Sequence, residues 1–301
     1  MSRNNRVEQI ARSNSAAQSL VSRFVAGTEV SDAVRVCQEL SDSGRLATVD
    51  YLGEDTTDIA MARATAAAYT ELLAALAELD LASRVEVSIK LSALGLSLPT
   101  DGLSIAQDLA AAICGKAAEV GTTVTVDMED HTTTDSTLDI VRALRDDFPS
   151  TGLVLQAYLH RTQGDCVDFS YPGSRIRLCK GAYSEPASVA YQDKHEIDIS
   201  YVRCMAVLLA GSGYPMFATH DPRLIEIAGS LVVKSSREQG SYEYQMLYGI
   251  RPDEQLRLAA TGERMRVYVP FGQEWYGYLM RRLAERPANL GLLARSLTSK
   301  G

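Results

Sequence analysis

The chain has 301 residues, of which 46% are hydrophobic, so it is long enough for one large domain or two ordinary ones with a buried core. Its 30 Lys and Arg residues against 38 Asp and Glu residues give a formal charge of −8. These features exclude a disordered chain and argue against a protein whose main task is to bind nucleic acid.

Five cysteines are scattered along the chain without a Cys-x-x-Cys pair, which predicts reduced thiols. No stretch approaches the roughly 18 apolar residues that span a bilayer, and the polar N-terminus is not followed by an apolar signal core. We therefore expect an unprocessed cytoplasmic protein, while peripheral contact with the inner face of a membrane stays open.

Residues 1–44 carry apolar side chains at helical spacing and predict an N-terminal helical arm. From residue 45, short apolar or β-branched runs alternate with longer Ala- and Leu-rich segments, a pattern typical of parallel strands covered by crossover helices. The strand-like runs are 46–51, 85–91, 123–128, 153–158, 175–180, 215–220, 242–247 and 265–269. The amphipathic segments are 59–79, 105–120, 137–147, 201–210, 223–230, 253–260 and 274–286. Eight such units predict an α/β catalytic domain over 45–290, a (β/α)8 barrel of TIM type, followed by a C-terminal tail at 291–301.

An open doubly wound sheet is the alternative, because the same alternation of strands and helices would produce it. The glycine pattern argues against that fold. No G-x-G-x-x-G follows the first strand and no G-x-x-x-x-G-K-[ST] occurs, while the GSG at 211–213 precedes a strand and lacks the third glycine. The sequence therefore predicts neither a Rossmann nor a Walker nucleotide site.

In a barrel of this type the chemistry lies at the carboxyl ends of the strands. The second strand carries Lys90 inside an apolar run, where an ammonium needs a partner unless it extends past the barrel mouth. The third strand supplies Asp127, which we expect to pair with Lys90. The alternative is a metal site built from Asp127, Glu129, Asp130, His131, and His160 or His220. No H-x-H or H-E-x-x-H spacing supports that site, so we expect no metal.

The fifth strand carries Arg175, Arg177 and Lys180, which predict a cationic rim suited to an anionic ligand. Ion pairs with nearby acids are the plainer explanation. Gly181 would let a bulky ligand approach the backbone. Cys179 has no catalytic motif beside it, so we interpret it as a buried, inert thiol.

The last helix presents two arcs at 100° per residue. One is apolar and contains Trp275, Tyr276, Leu279, Met280 and Leu283; the other, roughly 100° wide, contains Tyr278, Arg281, Arg282 and Glu285. Two adjacent arginines beside a tyrosine are suited to holding a carboxylate. The alternative is a solvated face on which Glu285 pairs with Arg281.

Eight short motifs resemble those of the bacterial monofunctional proline dehydrogenases, in the same order. They are YLGE (51–54), SIKLS (88–92), DME (127–129), QAY (156–158), RLCKGAY (177–183), FATH (217–220), YQMLYG (244–249) and YLMRRL (278–283). The resemblance covers about residues 45–290. It implies a distorted (β/α)8 barrel that holds FAD without a Rossmann motif and carries its last helix over the barrel mouth.

The resemblance also implies roles for site residues. Lys90, Arg281 and Arg282 would bind the carboxylate of L-proline, with Asp127 holding Lys90 in place. Leu247, Tyr268 and Tyr278 would surround the ring, and Tyr268 is similar to the tyrosine that accompanies a preference for proline over hydroxyproline. FAD would contact Gln156, Arg177, Lys180, Gly181, Ala182, Thr219, His220, Gln245 and Glu285, with Arg177 near the reactive nitrogen. Glu54 would pair with Arg282 as a gate over the substrate.

The implied reaction is the first step of proline catabolism. Its product is Δ1-pyrroline-5-carboxylate, its electron acceptor is a membrane quinone, and a separate pyrroline-5-carboxylate dehydrogenase would follow. The sequence shows no basic amphipathic helix that would explain membrane docking. Two other classes stay open: a metal-assisted lyase or hydrolase on the same barrel, and a non-enzymatic binding or scaffold protein.

Overall fold

The structure is a computed structural model that describes residue 18, residues 21–53 and residues 56–284. The strands are β1 (Leu46–Tyr51), β2 (Val85–Ile89), β3 (Val124–Val126), β4 (Gly152–Gln156), β5 (Arg175–Cys179), β6 (Tyr214–Ala218), β7 (Glu243–Leu247) and β8 (Met265–Phe271). The helices are α1 (Val30–Asp42), α2 (Ile59–Glu78), α3 (Gly102–Glu119), α4 (Thr134–Asp147), α5 (Thr162–Asp168), α6 (Lys194–Ala210), α7 (Pro222–Lys234), α8 (Pro252–Ala260) and α9 (Trp275–Ala284). Short 3₁₀ turns follow β2 at Ser92–Leu94 and β3 at His131–Thr133.

The eight strands form a closed parallel barrel in sequence order, and β8 pairs with β1 to complete it. This closure confirms the predicted (β/α)8 fold over the open sheet. Each strand is buried on both faces, which explains why the strands read as apolar runs rather than as an alternating pattern. Because all strands are parallel, their carboxyl ends meet at one face of the barrel.

The first and last helices occupy unusual places. Helix α1 contacts β1, β8 and α2, and its buried residues join the main core. It thereby covers the seam between β8 and β1, where a regular barrel places its last helix. The apolar face of α9 packs in a separate cluster at the mouth, which agrees with the expected position of the last helix over the barrel.

The floor of the barrel is ionic, whereas such barrels are usually filled by layers of Val, Ile and Leu. Glu86 lies 2.5 Å from Arg175, 3.4 Å from Arg177 and 3.8 Å from Arg266. Arg266 also binds Glu243 at 2.7 Å. We call Glu86, Arg175, Arg266 and Glu243 the floor network. Its place corrects the prediction that Arg175 belongs to the rim of the mouth: this residue begins β5, so its side chain lies at the opposite end of the barrel.

Two helices differ from the sequence-based prediction for local reasons. Helix α6 begins seven residues earlier than expected, because the carboxylate of Asp193 accepts hydrogen bonds from the backbone N–H groups of His195 and Glu196. Helix α5 was not predicted, since its seven residues are too few to show a periodicity. In the described part of the chain, no helix is long and apolar enough to cross a membrane.

Candidate active site

A cavity of about 450 Å³ opens among the carboxyl ends of the strands. Its lining includes Lys90, Asp127, Gln156, Arg177, Lys180, Gly181, Ala182, Thr219, His220, Gln245, Leu247, Tyr268, Tyr278, Arg281 and Arg282. These are all the predicted site residues that the structure describes. Glu54 and Glu285 lie outside the described residues. The fold therefore brings residues from the ends of seven strands and from the last helix to one place.

Lys90 is buried in the cavity wall, and its closest acidic partner is Asp50. The ammonium lies 2.7 Å from one carboxylate oxygen of Asp50 and 2.8 Å from the other, but 3.7 Å from Asp127. Burial alone would lower the pKa of Lys90, yet the two carboxylates outweigh it and hold the pKa well above its ordinary value. Asp50 therefore does much of the pairing that was expected of Asp127.

Asp50 is the main site residue that sequence analysis missed. It is fully buried, and the hydroxyl of Tyr69 donates to the backbone oxygen of Ser88 at 2.6 Å and lies 3.4 Å from Asp50. A signal was present in the sequence, since Asp50 is an acid within an apolar strand just as Lys90 is a base within one.

Arg177, Asp127 and Tyr268 form a second polar group in the wall. Arg177 donates to Asp127 at 2.7 Å and to Ser88 at 3.0 Å, and Tyr268 donates to the other oxygen of Asp127 at 2.7 Å. The guanidinium also lies over the ring of Tyr268, with its carbon 5.4 Å from the ring centre. Burial raises the pKa of Tyr268 well above its ordinary value, so its hydroxyl remains a donor.

Side chains of helix α9 line the cavity at its mouth. Tyr278, Arg281 and Arg282 all line it, and the guanidinium carbon of Arg282 lies 5.4 Å from the centre of the Tyr278 ring. Trp275 and Leu279, from the predicted apolar arc, are buried on the other side of the helix. The three described residues of the polar arc thus face the cavity rather than bulk solvent.

Side chains at the ends of β4, β6 and β7 could hold a cofactor. The Oε1 atom of Gln156 is buried without a hydrogen-bond partner among the described residues. The backbone N–H of Leu247 donates to Nε2 of His220 at 2.9 Å, so the proton of the neutral imidazole lies on Nδ1. Gln245 accepts from Arg177 at 2.6 Å. The unpaired oxygen of Gln156 fits a ligand that presents a hydrogen-bond donor to the cavity, as the edge of a flavin ring would.

The cationic rim predicted at the end of β5 is balanced by acids. Lys180 lies 2.5 Å from Asp198 and 3.4 Å from Asp221. Arg223 binds both of these carboxylates, at 2.9 and 2.7 Å. Its hydrogen bonds hold the pKa of Asp221 at about 2, so this acid is charged at any physiological pH. Ion pairing with nearby acids, the alternative to an anion-binding rim, therefore accounts for Lys180.

Cys179 and Gly181 have structural explanations. Cys179 is only partly buried and lines the cavity, which corrects the prediction of a buried thiol, although burial still raises the pKa of this thiol to about 12 and so disfavours the reactive thiolate. Gly181 has a φ of +120°, and a Cβ atom there would overlap the ring of Tyr158. Packing against Tyr158 thus requires this glycine whether or not a ligand approaches.

The acids and imidazoles considered as metal ligands are engaged elsewhere. Glu129 accepts a hydrogen bond from the backbone of Ser92 at 2.9 Å, and Nδ1 of His131 contacts Glu185. Across the residues that the structure describes, no three His, Cys, Asp or Glu side chains are grouped so that they could hold a metal ion. The metal-assisted alternative is therefore not favoured.

Comparison with known proteins gives a consistent result. A family model described as "Proline dehydrogenase" matches residues 33–295. Proline dehydrogenase 1 of Bacillus subtilis subsp. natto is 39% identical over 278 residues, which cover 92% of this chain and 90% of that protein. Proline dehydrogenase of Deinococcus radiodurans is 39% identical over 293 residues, covering 97% and 93%.

A solved structure extends the comparison to the fold. Proline utilization A (PutA) from Bdellovibrio bacteriovorus, inactivated by N-propargylglycine, matches with a TM-score of 0.82 at 25% identity. The match covers 95% of this chain but 34% of that one, so this chain spans about a third of the length of PutA.

Proposed function

Because this chain belongs to the proline dehydrogenase family, we propose that it oxidises L-proline to Δ1-pyrroline-5-carboxylate with bound FAD as the hydride acceptor. One observation supports this proposal most strongly. Among the described residues that line the cavity, Lys90 at the end of β2 and Arg281 and Arg282 on α9 bring three basic side chains to one space, as an anionic substrate requires.

The carboxylate of proline would bind Lys90, Arg281 and Arg282. Asp50 and Asp127 keep Lys90 charged and fixed, while the two arginines approach from the mouth on α9. Charge-assisted hydrogen bonds to one carboxylate from several directions would fix both its position and its orientation. Leu247, Tyr268 and Tyr278 would then surround the five-membered ring.

The amine of proline must be neutral, because its lone pair assists the loss of hydride from the adjacent ring carbon. The basic residues that bind the carboxylate also lower the pKa of that amine, since a second positive charge nearby is unfavourable. Holding the substrate in one orientation supplies a further part of the rate enhancement. Binding, orientation and this shift in amine pKa are the contributions of the protein.

The cofactor would be held by Gln156, Lys180, Gly181, Ala182, Thr219, His220, Gln245 and Glu285. When bound, FAD supplies a two-electron acceptor for the hydride. Arg177, fixed by Asp127 and Gln245, would offset the negative charge that reduction brings. Glu54 would close the site by pairing with Arg282. The electrons would pass to a membrane quinone by peripheral contact of a cytoplasmic protein, and the product to a separate dehydrogenase.

The test is to add L-proline anaerobically to the FAD-loaded protein. We expect the visible absorbance of the flavin to bleach and a product lacking two hydrogen atoms to appear by mass spectrometry. A chelator should change neither result, whereas a metal-assisted lyase or hydrolase would lose its activity and need no flavin. A flavin that stays oxidised in excess proline would contradict the proposal.

A further inference from the structure

Residues 21–27 lie at the mouth end of the barrel and are fixed to the ends of two strands. The backbone N–H of Ala26 donates to the carbonyl of Pro270 in β8 at 2.9 Å, and that of Gly272 donates to the carbonyl of Gly27 at 3.0 Å. Beyond β7, a Cβ atom on Gly249 would overlap the carbonyl oxygen of Arg23. This close approach shows that the segment is packed against the barrel and does not merely lie over it.

The same segment packs against the last helix. A hydrophobic cluster separate from the main core, which we call the mouth cluster, buries Phe24, Val25, Leu52, Trp275, Tyr278 and Leu279. Phe24 is 2% exposed and Val25 is 1% exposed. The buried face of α9 therefore rests largely on the N-terminal segment, and Tyr278 belongs both to this cluster and to the cavity wall.

We infer that Phe24 and Val25 are positioning residues for the substrate-binding arginines. Arg281 and Arg282 follow Tyr278 on α9 by three and four residues, within one turn of the helix, so any shift of the helix moves their guanidiniums with it. The mouth cluster has only six buried residues among those that the structure describes, so few other contacts would hold α9 in place if the ring of Phe24 were removed. The inference rests on the proposed function, because it assumes that these arginines hold the carboxylate of proline.

Matched truncations in the FAD-loaded protein test the inference. Phe24→Ala is compared with Phe169→Ala, which removes an equally buried ring from the main core beside α5. Val25→Ala and Val141→Ala form a milder pair that decides the question if a phenylalanine variant fails to fold. The readouts are KM and kcat for L-proline and the dissociation constant of cyclopentanecarboxylate, which has the ring and carboxylate of proline but no amine, by calorimetry.

We expect Phe24→Ala to raise KM and the dissociation constant by about ten- to a hundredfold, the scale of a misplacement of roughly 1 Å. Phe24→Leu should restore most of this loss, and both core controls should lower the melting temperature while leaving the two constants near wild type. Folded Phe24 and Val25 variants with wild-type constants, or core controls that weaken binding equally, would overturn the inference. A wild-type protein that does not oxidise proline would instead contradict the proposed function and the inference with it.

Discussion

Lys90 and Asp50 are opposite charges in the wall of one cavity, and both are almost completely buried. A buried ammonium is tolerated when a carboxylate and further hydrogen bonds replace water around it. Asp50 meets this need at 2.7 Å, while Asp127 also binds Arg177 and Tyr268. Asp50 therefore fixes the ammonium of Lys90 and helps to keep it protonated well beyond neutral pH.

Replacing Asp50 tests this account at the level of one residue. Asp50 and Asp127 hold the pKa of Lys90 in the folded protein above its ordinary value of 10.5. The charged Lys90 therefore stabilises the fold fully below pH 10.5, and this stabilisation is lost as the pH rises through the folded-state pKa. In Asp50→Asn the pKa of Lys90 falls, so the alkaline limb of kcat/KM for proline should move to lower pH. Removing one partner of a buried pair should also lower the free energy of unfolding by about 3–5 kcal/mol.

The control for this prediction is Asp139→Asn, which removes a carboxylate that is 72% exposed and paired with Arg142. It should leave both the pH profile and the stability near wild type, since surface pairs contribute little. A wild-type alkaline limb in Asp50→Asn would show that Asp50 does not maintain the charge of Lys90.

The sequence pattern within each strand identified Lys90 and Asp127 as site residues, but it did not identify Asp50 as the main partner of Lys90. Lys90 and Asp127 could be predicted because each is a charged residue at the end of an apolar run. The pairing of Lys90 depends on the register between β1 and β2, which places Asp50 beside Ser88. The register between two strands that lie far apart in the sequence is set only when the chain folds. The pattern within one strand therefore predicted Asp127 as a partner of Lys90 but missed Asp50.

At the scale of elements, α1 and α9 both depart from the arrangement of a regular barrel. Helix α1 covers β1 and β8, where a regular barrel places its last helix. Helix α9 lies at the barrel mouth instead, and its apolar side chains form part of the mouth cluster. Helical periodicity separated Trp275 and Leu279 from Arg281 and Arg282, whereas Tyr278, assigned to the polar arc, also belongs to the mouth cluster. It could not predict what each face contacts, because a solvated polar face and a cavity-lining one have the same spacing; the family resemblance supplied that position.

Truncating either arginine tests the role of this helix. Arg281→Met or Arg282→Met should raise KM for proline by roughly ten- to a thousandfold, the range expected when a charge-assisted contact to a carboxylate is lost. Arg35→Met on α1 is the control, because Arg35 pairs with Glu39 on the exposed surface. Wild-type proline kinetics in both α9 variants would exclude them from carboxylate binding.

At the scale of the whole molecule, the barrel is held together by charge as well as by apolar packing. The floor network joins β2, β5, β7 and β8 across the interior, and Arg177 links it to the cavity above. Burial would raise the pKa of Glu86, but Arg175, Arg266 and Arg177 outweigh it and hold the pKa far below its ordinary value of 4.5.

The floor network predicts a specific sensitivity to acid. Because the folded-state pKa of Glu86 is depressed, its contribution to stability is complete above about pH 4.5 and is lost as pH falls towards the folded value. Glu86→Gln should be less stable than wild type by about 3–5 kcal/mol at neutral pH, and the difference should shrink below pH 4.5. Urea denaturation across this range measures it.

The exposed Glu119→Gln, which breaks a surface pair with Lys116, should show no such pH-dependent difference. A difference between Glu86→Gln and wild type that stays constant down to about pH 3 would argue against a charged Glu86 at the floor.

The alternation of strands and helices left both a closed barrel and an open sheet possible, and the missing Rossmann and Walker glycine motifs favoured the barrel. The floor network could not be predicted in the same way. Arg175 shares a short run with Arg177 and Lys180 and so looked like part of one rim. Arg175 begins β5 and so lies at the opposite end of the barrel from Lys180, and only closure of the barrel, which sets β2 and β5 across one interior, brings Glu86 to Arg175.

The central claim is that Lys90 and the two arginines of α9 converge on the carboxylate of one substrate. A crystal structure of the FAD-loaded protein with cyclopentanecarboxylate tests it most directly. We predict the carboxylate within hydrogen-bonding distance of the Lys90 ammonium and both guanidiniums, with the ring enclosed by Tyr268, Tyr278 and Leu247. A ligand bound elsewhere, with Arg281 and Arg282 directed into bulk solvent, would contradict the account.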